Sequence, residues 1–124
     1  MVKFKLINDK FGHDISSETL RKIYTMISEN LDNTEIVSRI AGDEFLLFLK
    51  FDSNKNILSR LKSVMDRITK YGKEDLQHTN IIFRVGIYKI TDKSMEFYKM
   101  IDRADMAQHT LAQQGGYETK YAFY

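Results

Sequence analysis

The sequence contains no cysteine and no proline. Without cysteine there is no disulfide framework and no thiolate metal site, and a reducing, cytoplasmic setting is the compatible one. The absence of proline favours regular structure, because proline breaks helix interiors and removes a donor from a sheet. No apolar run approaches membrane-spanning length, and no signal peptide opens the chain. Nor is charge of one sign in excess. The 19 basic and 17 acidic residues leave a net charge of +2 without a long like-charge block, so nothing announces nucleic acid or a membrane as partner. Repeats, linkers and low-complexity tracts are missing as well.

What is present fits one domain over residues 1–124, since a 43% hydrophobic chain of this length can bury one compact core. Its organising stretch is Arg39-Ile40-Ala41-Gly42-Asp43-Glu44-Phe45. A half-apolar run precedes it and the apolar run Phe45-Leu46-Leu47-Phe48-Leu49 follows, the pattern of a β-hairpin. Gly42 suits a turn position that needs positive φ. Asp43 and Glu44 then sit at the tip of a strand rich in buried-type residues. Two readings of that pair stand side by side: preorganised oxygen ligands for a hard cation, or a solvated acidic turn.

Around the hairpin the chain reads as α+β. Residues 1–6 alternate loosely and suggest a short strand or the approach to a helix. Gly12 suits a helix C-cap, and Ser16-Ser17-Glu18 reads as the N-cap of a helix carrying Leu20, Ile23, Ile27 and Leu31 on one face. Asp52-Ser53-Asn54 caps a second amphipathic helix with the stripe Ile57, Leu58, Leu61, Val64, Met65, Ile68 and Tyr71, ending near Gly72. Residues 81–90 form a β-rich strand. Ser94 starts a third long helix that runs out at Gly115-Gly116, with Met95, Met100 and Met106 as packing residues. An aromatic strand over residues 117–124 closes the chain, its tyrosines packing a strand face. The order (β)-α-α-β-β-α-β-α-β points to an antiparallel sheet with helices on its faces, in a ferredoxin-like arrangement.

Four segments resemble one known family. Phe4-Lys5-Leu6-Ile7-Asn8-Asp9-Lys10-Phe11-Gly12-His13-Asp14 is similar to the F-K-x-I-N-D-x-x-G-H segment of GGDEF domains, the diguanylate cyclases of bacterial signalling. Ala41-Gly42-Asp43-Glu44-Phe45 resembles their namesake turn with the first Gly replaced. Arg84-Val85-Gly86-Ile87 resembles the strand before the last long helix. Ala104-Asp105-Met106-Ala107, the glycine pair and Ala122-Phe123-Tyr124 resemble the closing motif. The resemblance implies a nucleotide-cyclase-type fold and the joining of two GTP into cyclic di-GMP and pyrophosphate, with Mg²⁺ neutralising charge. It also implies Asp43 as metal ligand, Glu44 as catalytic residue, and Asn8, Ala41 and Gly42 as nucleotide-binding positions.

Set against that resemblance, the chain departs from the family in several places. The family's first metal Asp would fall before Met1, so the first strand reads as truncated, and one carboxylate is a poor magnesium site. The guanine-binding Asp aligns with Ser17, whose hydroxyl cannot replace a bidentate carboxylate, at a cost of roughly 1.5–3 kcal/mol per lost charge-assisted bond. The phosphate-binding Lys and Arg align with Ala112 and Gly116; Lys3 and Lys5 remain, Lys5 matching a family Lys. The family's R-x-x-D product site aligns with Asp32-Asn33-Thr34-Glu35, so no product binding is expected there. His13 is assigned a structural role, and His78 and His109 a place on the surface.

The combined expectation is a degenerate GGDEF domain acting as a regulatory or weak nucleotide-binding module for GTP or cyclic di-GMP, with Mg²⁺ as cofactor if any ligand is bound. An active cyclase completed by upstream residues and a ligand-free scaffold are the alternatives. Residues 1–5 are expected to slide in as a shortened strand, or a second copy or partner protein to cover the gap.

Overall fold

The computed structural model describes all 124 residues, Met1–Tyr124, as four helices and four short strands. They pack as two compact units, residues 1–81 and residues 82–124. No helix is long and apolar enough to cross a membrane.

In the first unit, the chain opens with helix α1 (Phe4–Phe11), not with a shortened strand over residues 1–5. Lys3 takes a left-handed φ of 57°, and its carbonyl accepts from the Leu6 N–H at 3.0 Å, which starts a turn. Phe4, Ile7 and Phe11 then share a face at helical spacing, with Ile7 buried. Gly12 ends α1 as expected, at φ 85°, its N–H donating to the Asn8 carbonyl at 2.9 Å.

The same glycine starts α2 (His13–Ser28), four residues earlier than the serine cluster suggested. Ser16 is therefore inside the helix, buried, and its hydroxyl points back to Asn8 Oδ1 at 2.8 Å and to the His13 carbonyl at 3.0 Å. A capping-type residue has become a lock between two helices. The stripe Leu20, Ile23 and Ile27 is buried as read, joined by Met26.

The hairpin pairs β1 (Ile36–Ala41) with β2 (Glu44–Phe48) antiparallel, with Ile36 opposite Phe48, Val37 opposite Leu47, and an irregularity between Arg39 and Ala41. Helix α3 (Asn54–Asp75) begins at Ser53, whose side chain accepts from the Asn56 N–H at 3.1 Å. Ile57, Leu61, Val64, Met65 and Ile68 form its buried stripe. It continues three residues beyond Gly72, because that glycine is a packing position: a Cβ there would lie 2.5 Å from the Thr79 carbonyl oxygen. The chain reverses after it through Gln77 and His78, at φ 49° and 59°.

In the second unit, β3 (Arg84–Ile87) pairs parallel with β4 (Lys120–Phe123), because α4 (Phe97–His109) crosses between them. Of the β-rich run 81–90, only these four residues are strand. Gly86 lets the helix touch the strand: a Cβ there would collide with the Ala104 carbonyl oxygen and lie 2.7 Å from the Gln108 nitrogen. Ser94 does not cap α4. Its N–H and hydroxyl both donate to Asp92, forming a separate turn, and Glu96 holds the cap position. Met106 is 57% exposed, so it packs nothing on the helix's inner face, where Ala107 is buried. Tyr124 does pack, with its ring 5.6 Å from that of Tyr88 in an edge-on pair, but Tyr117 is 86% exposed. The Arg103 guanidinium lies over both paired rings, at 5.3 and 5.2 Å.

Candidate functional site

The tip of the β1/β2 hairpin is a two-residue loop, Gly42-Asp43, closed by Ala41 opposite Glu44. Gly42 carries the positive φ, 40°, at the first loop position, where a side chain would strain the turn. Asp43 is about one-third exposed. Its carbonyl accepts from the Met1 α-ammonium at 3.0 Å, and its Oδ2 lies 3.8 Å from the same nitrogen. Glu44 and Ala41 are exposed. Nowhere do three His, Cys, Asp or Glu side chains converge to hold a metal ion. Asp43 and Glu44 therefore form no all-protein cage for a magnesium ion, which one or two carboxylates hold together with phosphate oxygens and water.

Asn8 stands on α1, exposed, with its side-chain oxygen held by the Ser16 hydroxyl. Its amide NH₂ is left as the group it presents. Met1 links this region to the hairpin tip. Ser17 is half-buried on α2, and Lys3 and Lys5 are exposed. Ala112 and Gly116 are exposed in the second unit. One cation does stand near Gly116: the Lys120 Nζ lies 3.8 Å from where a Cβ would be, and 3.4 Å from Gln114 Oε1. His109 is a surface residue, its Nδ1 3.4 Å from Asp105 Oδ2. His13 contributes its carbonyl to Ser16, and His78 stands at a left-handed corner.

The strongest electrostatic feature is the segment from Asp32 to Glu35. The Glu35 carboxylate is buried and accepts four hydrogen bonds. Arg60 supplies two of them at 2.6 and 2.5 Å, and the N–H groups of Asp32 and Lys50 supply the others at 3.1 and 2.9 Å. Arg60 foremost, with those two N–H groups, holds the Glu35 carboxyl down at about 2, against the cost of burial. The same guanidinium donates to the Asn30 carbonyl at 2.8 Å, and its own pKa is raised by Glu35. Asp32 is likewise lowered to about 2, chiefly by the Thr34 hydroxyl and N–H. Both acids of this segment are thus committed to internal partners.

A shallow cleft between α2 and α3 involves none of Asn8, Gly42, Asp43 or Glu44. Arg67 of α3 pairs across it with Glu29 at 2.6 Å, and Lys22 pairs along α2 with Glu18 at 3.5 Å.

Two of these residues carry no signal in the sequence, and a third, Ser16, carries a misleading one. Arg60 sits mid-helix and carries no local signal, because its partner is 25 residues away. Ser16 has the local chemistry of a helix cap, and only its burial against Asn8 gives it another role. Lys120 is an ordinary strand residue until the fold places it beside Gly116.

Comparison with known proteins bears on the whole arrangement. Residues 1–118 match the family described as "Diguanylate cyclase, GGDEF domain". The chain is 27% identical over 114 residues to diguanylate cyclase DosC of Escherichia coli K12, covering 91% of this chain and 25% of that protein. It is 26% identical over 113 residues to the cyclic di-GMP phosphodiesterase PdeR of the same strain, covering 91% of this chain and 17% of that one. It spans about a quarter or less of these curated relatives. The structure of the active GGEEF domain of a Vibrio cholerae diguanylate cyclase superposes with a TM-score of 0.79 at 21% identity, covering 99% of this chain and 77% of that one. The nucleotide-cyclase-type α+β architecture read from the sequence is therefore the fold.

Proposed function

The chain belongs to the GGDEF family of diguanylate cyclase domains, and on that footing we propose that residues 1–124 form one catalytically impaired domain that serves cyclic di-GMP signalling as a regulatory or weak nucleotide-binding module. The observation that carries the reading is the chemistry of three positions inside the chain, Ser17, Ala112 and Gly116, which offer neither the carboxylate nor the cations of the family. Phosphoryl transfer is mostly positioning and charge neutralisation, so without those groups little is left to work with.

Another position supports the same reading: the Asn8 oxygen is already bonded to Ser16. Asn8, Ala41 and Gly42 remain the proposed contacts for a GTP or cyclic di-GMP base and phosphate, with magnesium arriving on the triphosphate. The segment from Asp32 to Glu35 is closed to product by the Arg60 ion pair. A cytoplasmic setting is part of the proposal. The relationship to PdeR, a protein named for the opposite activity, is consistent with a family domain that regulates instead of synthesising.

The test is incubation with GTP and Mg²⁺ or Mn²⁺, followed by chromatography for cyclic di-GMP, beside calorimetric titration with GTP and with cyclic di-GMP. Weak binding without turnover is expected. Turnover abolished by Asp43→Ala would overturn the proposal and favour an active cyclase completed by residues outside this chain. Absence of heat with either nucleotide would leave a scaffold.

A further inference from the structure

The corner between α1 and α2 fixes Asn8 at two of its polar groups. Gly12, at φ 85°, is the corner, and it brings Ser16 within reach of a side chain eight residues earlier. The Gly12 N–H donates to the Asn8 carbonyl at 2.9 Å, and the Ser16 hydroxyl donates to Asn8 Oδ1 at 2.8 Å. Ser16 is 1% exposed, so water does not compete for its proton. That single proton has two acceptors in reach. One is Asn8 Oδ1, and the other, further away at 3.0 Å, is the His13 carbonyl, which serves the helix ladder as well. The nearer of the two is the side-chain amide oxygen. A carboxamide ordinarily offers a donor and an acceptor together, the pair that lets it read two atoms of a base edge at once. At Asn8 the acceptor is committed inside the protein, and the Nδ2 hydrogens are what remains for a ligand.

We propose that Ser16 is a positioning residue of the nucleotide site, and that by occupying the Asn8 oxygen it leaves this contact blind to the 2-amino group of guanine. This rests on Asn8 as a base contact, the role proposed for it above. Guanine and hypoxanthine carry the same ring acceptors and the same 6-oxo group. They differ only in the amino group on C2, which is a donor and needs an acceptor to be read. An NH₂ group donates to any of the shared acceptors and gains nothing from the amino group. A site rejects an analogue strongly only when the analogue lacks a group that the site itself bonds. The ligand class is therefore wider than guanine nucleotides: inosine triphosphate fits this contact as well as GTP does.

Two substitutions place an acceptor at that spot. Ser16→Ala removes the hydroxyl, frees Oδ1 and lets the amide turn its oxygen to the ligand. Asn8→Asp keeps one oxygen on Ser16 and puts the second where Nδ2 stood. Both variants gain a bond to the 2-amino group that the wild type lacks. A merely structural role for Ser16 would weaken both nucleotides together and leave the ratio of their affinities alone. The charge added by Asn8→Asp repels both triphosphates equally and cancels in the same ratio.

Titrations of the isotope-labelled 124-residue protein with GTP and with inosine triphosphate, each with Mg²⁺ and followed by NMR chemical shifts, give the two dissociation constants. In the wild type they agree within about twofold. In Ser16→Ala and in Asn8→Asp, GTP binds about fivefold more tightly than inosine triphosphate, the size of one added hydrogen bond. A wild type that already prefers GTP by about fivefold, or variants that keep the wild-type ratio, would overturn the proposal while leaving Asn8 a nucleotide contact. A protein that shifts with neither nucleotide overturns the role of Asn8 and, with it, that of Ser16.

Discussion

Replacing Glu35 by Gln keeps the shape of the side chain and removes its charge. The carboxylate it replaces accepts from Arg60 twice and from the Asp32 and Lys50 N–H groups, in a side chain 2% exposed. Arg60 is left with its Asn30 bond and no counter-charge. Two routes give the magnitude. Lowering the carboxyl from 4.5 to about 2 corresponds to about 3 kcal/mol at roughly 1.4 kcal/mol per pH unit. Removing one partner of a buried ion pair costs about 3–5 kcal/mol in general. A loss of about 3 kcal/mol at neutral pH is therefore expected, measured by urea unfolding followed by circular dichroism. The pH dependence supplies the sharper check. Because the folded carboxyl is more acidic than the unfolded one, its contribution is complete above pH 4.5 and disappears as pH falls from there towards about 2. The gap between wild type and Glu35→Gln should close across that interval and stay constant above it. A gap below about 1 kcal/mol, the size of an ordinary hydrogen bond, or one that ignores pH over the interval, would refute the argument.

Gly86→Ala should destabilise the second unit by about 1–3 kcal/mol, since the methyl group overlaps the Ala104 carbonyl; an unchanged unfolding curve would show that α4 stands further off. His78→Gly should stabilise by about 0.5 kcal/mol, the relief of left-handed strain slightly exceeding the added chain entropy, read as a small rise in melting temperature. Ser16→Ala should cost about 1 kcal/mol and raise amide exchange at Gly12 and Ser16, where the bond to Asn8 now fixes the corner between α1 and α2.

Much of this fold is legible because its helices are amphipathic and its turns carry the residues that turns require. The stripe from Ile57 to Ile68, the Ser53 cap, the Gly12 cap and the Gly42 hairpin all follow from local chemistry. What fails locally is decided by distant partners. Ser16 has the chemistry of a cap, and only its burial against Asn8 shows otherwise. Gly72 looks like a stop signal, yet it is a packing position for Thr79 and Ile81, and the helix runs through it. Residues 1–6 alternate in a way that fits a short strand or the approach to a helix, and a left-handed Lys3 with the 4, 7, 11 spacing decides for α1. At the hairpin tip the identities of Asp43 and Glu44 are plain in the sequence, whereas their isolation from further acids is a property of three dimensions.

The seven tyrosines are the dominant near-ultraviolet chromophores in a chain without tryptophan. Tyr88 and Tyr124 form a perpendicular pair with a cation over both rings, so their transitions couple in a fixed chiral geometry. The molecule thereby carries an intrinsic optical gauge of its C-terminal unit: near-ultraviolet dichroism should fade when that unit loosens, and a Tyr124→Leu variant identifies which part of the signal belongs to the pair.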